Sequence, residues 1–203
     1  MRTYSWFFLA AFLACSSVSY AQSDNPTGGH FGVKAGVSLT RLNISGISPN
    51  IPKQKLDPHL GVMYRYRLHK FVIQPEVLLA AKGGTMQVQR IGATTRETIR
   101  NNYYYLSVPL LLGYIPTEGI TLQAGPEFSY ALNAGKSGGP GAKNDLGLVV
   151  GAHYDFLDML DKFSLHVRYV YGFTNVSPEP LAVYKNRVLQ ASIVYNLYPK
   201  QKK

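Results

Sequence analysis

The sequence predicts an all-β fold: an eight-stranded antiparallel up-and-down transmembrane β-barrel with both termini periplasmic, preceded by a signal peptide. Three observations predict it. Eight runs alternate apolar and polar residues, the connections between them alternate long and short, and no segment beyond the N-terminus approaches the roughly 20 apolar residues of a membrane helix. In bacterial barrels an even number of antiparallel strands brings both ends to the periplasm, with short turns there and long loops outside.

The chain opens with Arg2, then the apolar run Trp6 to Ala14, then Ser19-Tyr20-Ala21 before Gln22. That is the small-x-small pattern of a secretory signal. The expected division is therefore 1–21 signal peptide and 22–203 barrel domain. Cys15 would be the lipid-attachment residue of a lipoprotein, but Phe12-Leu13-Ala14 matches that box poorly. Cleavage after Ala21 removes this only cysteine, so no disulfide supports the fold.

The runs fall at about 31–44, 60–68, 71–90, 97–114, 120–133, 146–156, 163–174 and 187–198. Period two splits each into two faces. In the first, Phe31, Val33, Ala35, Val37 and Leu39 oppose Gly32, Lys34, Gly36, Ser38 and Thr40. The second sets Leu60, Val62, Tyr64 and Tyr66 against Gly61, Met63, Arg65 and Arg67, and the third sets Phe71, Ile73, Val77 and Leu79 against Gln74 and Glu76. The fourth holds the longest apolar stretch, Val108 to Ile115, interrupted by Pro109. In the fifth, Leu122, Ala124, Phe128 and Tyr130 oppose Gln123, Gly125, Glu127 and Ser129. The sixth carries Gly147, Gly151 and His153, the seventh sets Leu165, Val167, Tyr169 and Tyr171 against His166 and Arg168, and the eighth sets Leu189, Ile193 and Tyr195 against Gln190, Ser192 and Asn196. Long connections cover roughly Ser45–Pro58, Lys82–Arg100, Asn133–Asp145 and Asn175–Asn186, the second of them overlapping its flanking runs. The short ones are His69-Lys70, Pro116–Gly119 and Leu157–Lys162.

A soluble barrel would turn the apolar faces inward and a membrane barrel would turn them outward. The opposite faces mix glycines (Gly32, Gly36, Gly61, Gly125, Gly147, Gly151, Gly172) with a few large charged residues, which is how a narrow eight-stranded lumen is filled. Only 16% of the chain is charged, too little for a solvated outer surface. Aromatics fall into two girdles, Phe31, Phe71, Tyr114, Phe156, Phe163 and Tyr195 at the periplasmic ends and Tyr104, Phe128, Tyr130, Tyr171 and Phe173 at the outer ends. Arg41 lies at a strand end, where its head reaches the interface.

Several segments together, Gly32-Val-Lys-Ala-Gly-Val-Ser-Leu39, Gln74-Pro-Glu-Val-Leu78 with Lys82-Gly83, Tyr105-Leu-Ser-Val-Pro-Leu-Leu-Leu112, Ala124-Gly-Pro-Glu127 and Arg168-Tyr-Val-Tyr-Gly-Phe-Thr-Asn175, resemble the PorT-like outer-membrane β-barrel family of Bacteroidetes. The likeness covers nearly the whole mature chain. It implies an eight-stranded barrel in the outer membrane, and the family's named member takes part in type IX protein secretion. The chain departs from the usual outer-membrane ending, an aromatic closing the last strand, because Tyr198 is followed by Pro199 and the basic tail Lys200 to Lys203.

The inward charges form the first candidate constellation. A symmetric hairpin about His69-Lys70 places Arg65 opposite Gln74 and diagonal to Glu76. With Lys34, Arg67, Glu127 and Arg168 these make an expected lumen ion-pair network, read as a plug because buried charges must be paired whatever the protein does. His153 and His166 form an expected inward pair near the periplasmic end. Two imidazoles with Asp155 as the only nearby carboxylate are an incomplete metal site, so neither metal nor cofactor is expected. Gly135-Lys136-Ser137 is not a phosphate loop, since Tyr130 occupies the first glycine position. No Ser-His-Asp triad is assembled.

Loss of Arg2 leaves an excess of nine basic residues over the 11 acidic ones. That balance suits anionic lipid, and no nucleic-acid module is present. The expected partners are outer-membrane lipid, lipopolysaccharide phosphates at Lys53, Lys55, Arg90, Arg96, Arg100, Lys136, Lys143, Lys185 and Arg187, and secretion-machinery proteins. The expected function is non-enzymatic, structural or accessory, with a small-molecule or ion conduit as the alternative.

Overall fold

The computed structural model describes residues 27–46, 50–89, 95–156, 160, 162–179 and 181–198. The expected signal peptide, Arg90 and the basic tail lie outside the described residues. The elements are β1 (Thr27–Gly46), β2 (Ile51–Lys53), β3 (Lys55–Leu68), β4 (Phe71–Gln89), β5 (Arg96–Thr117), β6 (Ile120–Ala131), β7 (Asn144–Asp155), β8 (Phe163–Gly172) and β9 (Ala182–Leu197). All ladders are antiparallel, and β4 pairs with β5 to close the eight long strands into a ring, β4-β3-β1-β9-β8-β7-β6-β5. The three-residue β2 pairs with β4 beyond the end of β3.

Following directly opposed residues once round this ring defines its geometry. From Thr121 the path runs through His153, His166, Ser192, Gly36, His59, Ala80 and Tyr105, and it returns to β6 at Ala131, ten residues from its start. Eight strands spaced ~4.8 Å apart with this stagger, at ~3.3 Å per residue, tilt roughly 40° from the barrel axis. Such a barrel is narrow enough for side chains to fill it. Glycine permits the tightest approach in the wall: a Cβ at Gly125 would lie 1.9 Å from the Leu110 carbonyl oxygen.

The apolar faces point outward and the mixed faces inward, so Leu60, Phe71 and Leu112 are exposed while Lys34, Gln74 and Arg168 are buried. Girdle aromatics stack across strands, Phe71 on Tyr114 at 5.8 Å and Phe163 on Tyr195 at 5.2 Å between ring centroids. Each such cross-strand pair adds about 0.2 to 1 kcal/mol.

Three of the long connections are shorter than the sequence implied. The β4–β5 ladder continues to Gln89↔Arg96, so most of the segment from Lys82 to Arg100 is hairpin. Much of Ser45–Pro58 is strand, and β9 begins at Ala182 rather than near Arg187. Ladder hydrogen bonds do not require an apolar face, so strands continue beyond the lipid-facing band. Gly83, at φ +101°, is accommodated inside β4 instead of ending it. The β5–β6 ladder shifts register by one residue between Tyr114 and Thr117, and between Lys53↔Thr85 and His59↔Ala80 the β4 edge that faces β3 is unpaired and the register again steps by one residue. Pro58 has no N–H to contribute there.

Candidate functional site

The lumen is the site that the fold builds. Lys34 on β1 stands opposite Gly61 on β3, and the missing side chain lets it reach past that strand to β4. Its Nζ lies 3.0 and 3.2 Å from the two Glu76 oxygens and donates to His166 Nδ1 at 2.9 Å. Arg168 on β8 has the same arrangement, with Gly151 opposite; a Cβ there would lie 2.6 Å from the Arg168 Cβ. Its Nη1 donates to Glu76 Oε2 at 2.9 Å, and its Nη2 stands 3.6 Å from Glu127 Oε2. Lys82 Nζ completes the ladder on Glu127 Oε1 at 2.7 Å and on Ser129 Oγ at 2.8 Å. Three cations thus share two carboxylates, all at most 2% exposed.

Neutral groups brace this ladder. Gln74 donates to Glu76 at 2.7 Å, Gln123 donates to Gln74 at 2.9 Å, and Arg168 Nε donates to Gln190 at 2.6 Å. Gln190 donates to Ser38 at 2.9 Å, and His59 bridges Ser38 and Ser192 at 2.8 and 2.7 Å. Buried charge in a low-dielectric interior is tolerated only when paired and hydrogen-bonded in this way.

Two expected members lie elsewhere. Arg65 is opposite Gln74 in register, yet it donates to Thr121 at 2.6 Å and pairs with Asp155 at 3.4 Å, not with Glu76. Glu76 is already saturated by Lys34 and Arg168, and Asp155 is the carboxylate at the level of Arg65. Arg67 is outside the network altogether. At the periplasmic rim it holds Glu118 in a two-bond fork of 3.0 and 2.7 Å and donates to the His69 carbonyl at 2.8 Å. That fork keeps the Glu118 carboxyl below its ordinary range. Lys82 and His59 are members the sequence does not single out, Lys82 because it lies where a predicted run and a predicted connection overlap and His59 because it precedes the predicted start of its strand.

His153 and His166 stand directly opposite, with ring centroids 5.3 Å apart. His153 Nε2 lies 3.1 Å from Asp155 Oδ1, which also accepts from Ser164 Oγ at 2.7 Å. Ser164 therefore donates to the carboxylate and not to an imidazole, so no nucleophile–base pair forms here. Among the described residues no cluster of three or more His, Cys, Asp or Glu side chains is placed to hold a metal.

At the outer end the lumen turns apolar. Leu42, Met86, Tyr103, Tyr105, Ala131, Ala182 and Tyr184 pack around Val176, which the β8–β9 connection carries inward to 0% exposure. The connection is tied by Val176 N–H to the Tyr184 carbonyl at 2.9 Å and by Gly141 N–H to the Val176 carbonyl at 3.0 Å. Two outer loops thus lock together over the lumen. The Lys82 ammonium, 5.0 Å from the Tyr105 ring centre, joins the lid to the ladder.

Comparison with known proteins agrees with this architecture. Residues 20–177 match the family model described as outer membrane protein beta-barrel domain, and the chain belongs to that family, which places it in the outer membrane. The solved structure of the outer membrane protein OprG from Pseudomonas aeruginosa is similar at a TM-score of 0.54 and 14% identity, covering 88% of this chain and 100% of that one. Neisserial surface protein A (NspA) is similar at 0.46 and 12%, covering 84% and 99%. The Yersinia pestis outer membrane protein Ail in a nanodisc is similar at 0.49 and 13%, covering 84% and 100%. At 14% identity the likeness to OprG is one of fold. No curated protein matches the chain.

Proposed function

We propose that this outer-membrane barrel is a non-enzymatic, closed structural or accessory component that acts through partner proteins at its outer surface, in protein secretion of the type IX kind. The observation that carries the closed reading is the continuous ladder Lys34–Glu76–Arg168–Glu127–Lys82 across the lumen. A hydrated ion would have to break at least one buried pair to pass. The Val176 lid lies in series with it. The likeness of the motifs around Lys34, Glu76, Pro109, Glu127 and Arg168 to the PorT-like family supports the secretion role. Planar-bilayer recording tests closure: silence is expected, and a steady large conductance overturns it. Deletion of the gene should reduce secreted cargo, and unchanged secretion removes the accessory role while leaving closure intact.

One feature favours the conduit as a second reading. The unpaired stretch beside Lys55–Pro58 forms a concavity in which lipid-facing Leu56 and Leu79 meet lumen-facing Asp57 and Tyr105. A small apolar solute entering sideways would use it. Uptake of such a solute into proteoliposomes, in the absence of ionic conductance, distinguishes this route from a closed barrel.

A further inference from the structure

The outer wall carries a like-charge pair that the lumen does not explain. Arg41 on β1 and Arg187 on β9 are directly opposed, and their neighbours Thr40, Leu42, Asn186 and Val188 point inward and are buried. Both arginines therefore project from the lipid-facing side, at the outer end of the apolar band. One step further out, Lys185 stands opposite Asn43 on the same side. Like charges directly opposed across a ladder are destabilising. Among the described residues no ion pair involves Arg41, Lys185 or Arg187.

Arg187 is held in position. Its guanidinium lies 3.4 Å from the Tyr171 ring centre, and its Nη1 donates to the Gly172 and Asn186 carbonyls at 2.7 and 2.8 Å. Nε and Nη2 remain as donors. Immediately toward the membrane centre, Leu39, Leu189 and Tyr169 are neighbours across β1, β9 and β8, and with Arg41, Arg187 and Tyr171 they line one shallow concavity. Its cationic rim is at the level of headgroups and its apolar floor is at the level of acyl chains.

We propose that Arg41 and Arg187 form a binding site for a phosphate of the phosphorylated glycolipid in the outer leaflet, the lipid A portion of lipopolysaccharide, with an acyl chain lying on Leu39, Leu189 and Tyr169. Phosphate matches the arginine fork, which bonds two oxygens at once. One phosphate between the two guanidiniums converts a repulsive pair into two attractive ones. The site is on the outside of the barrel and operates whether or not the lumen conducts.

Binding of purified bisphosphorylated lipid A to the full protein in detergent micelles tests the site. The wild type should bind it, and the Arg41→Gln/Arg187→Gln variant should bind about tenfold or more weakly, one charge-assisted contact being worth roughly that factor. A Lys70→Gln control, at the exposed β3–β4 turn on the opposite end of the barrel, should bind as wild type. Dephosphorylated lipid A and phosphatidylglycerol in the same micelles should bind weakly. Equal binding by the double variant or by dephosphorylated lipid A overturns the site. Equal binding by phosphatidylglycerol overturns the commitment to the glycolipid. If the Gln variant lacks the heat-dependent gel shift of a folded barrel, the Arg41→Lys/Arg187→Lys variant is used. It keeps the charge, loses the fork and should bind at least threefold more weakly, and unchanged binding overturns the proposal.

Discussion

The middle and the outer end of the same lumen are built on opposite principles. In the middle, Lys34, Glu76, Arg168, Glu127 and Lys82 are held by charge, each depending on a partner from a distant strand. At the outer end Leu42, Met86, Tyr103, Tyr105, Val176 and Tyr184 are held by apolar packing. A charge ladder fails abruptly, because removing one member leaves another buried and unpaired. An apolar lid fails gradually, in proportion to the volume lost. The ladder thus crosses the middle of the lumen, and the lid ties together the two outer connections that pack on it.

The largest effect should come from Glu76→Gln, which leaves Lys34 and Arg168 without their shared carboxylate. Loss of about 4 kcal/mol is expected in urea unfolding followed by circular dichroism, together with leak current in bilayers. Stability within 1 kcal/mol of wild type would show that solvent already screens the ladder. Leu42→Ala should cost about 3 kcal/mol by opening a cavity in the lid, yet the bilayer should stay silent because the ladder is intact. A leak from this variant would make the lid the true seal.

Gly141→Ala should act on the loops alone. A Cβ there would lie 2.2 Å from the Ser177 carbonyl oxygen, so the two outer connections must separate. About 2 kcal/mol is expected, with faster proteolysis in the outer loops and no loss of the heat-dependent gel shift. Glu118→Gln at the periplasmic rim should be the mildest change, under about 1 kcal/mol for an exposed pair. Because the Arg67 fork lowers the Glu118 carboxyl below its ordinary range, its contribution is present above that range and is lost as pH falls through the lowered folded value. Wild type and variant should therefore differ in stability near neutral pH and converge in acid; a constant difference at every pH would remove the fork as its cause.

Much of the wall was legible in the residues because period two is local. Phe31-Gly32-Val33-Lys34 already assigns its two faces before any partner is known, and His153 and His166 could be set opposite each other across a single hairpin. Arg65 was placed in the correct register but with the wrong carboxylate, because reach across the lumen is not a property of one hairpin. Lys82 falls where the predicted run 71–90 overlaps the predicted Lys82–Arg100 connection, and the ladder through Gly83 and Gly84 to Gln89 places it firmly in β4. Val176 carried no signal at all: a lone valine in a connection becomes a lid only when the ring beneath it closes.

The alternation of side chains by itself determined the strands, their inward and outward faces and the membrane setting, since each depends on neighbours two residues apart. The ten-residue stagger decided the rest. It sets which levels of non-adjacent strands face one another across the lumen, and so brings β1 Lys34 and β8 Arg168 to the same β4 carboxylate, Glu76. Closure of a ring is a property of all eight strands at once, and no single segment encodes it.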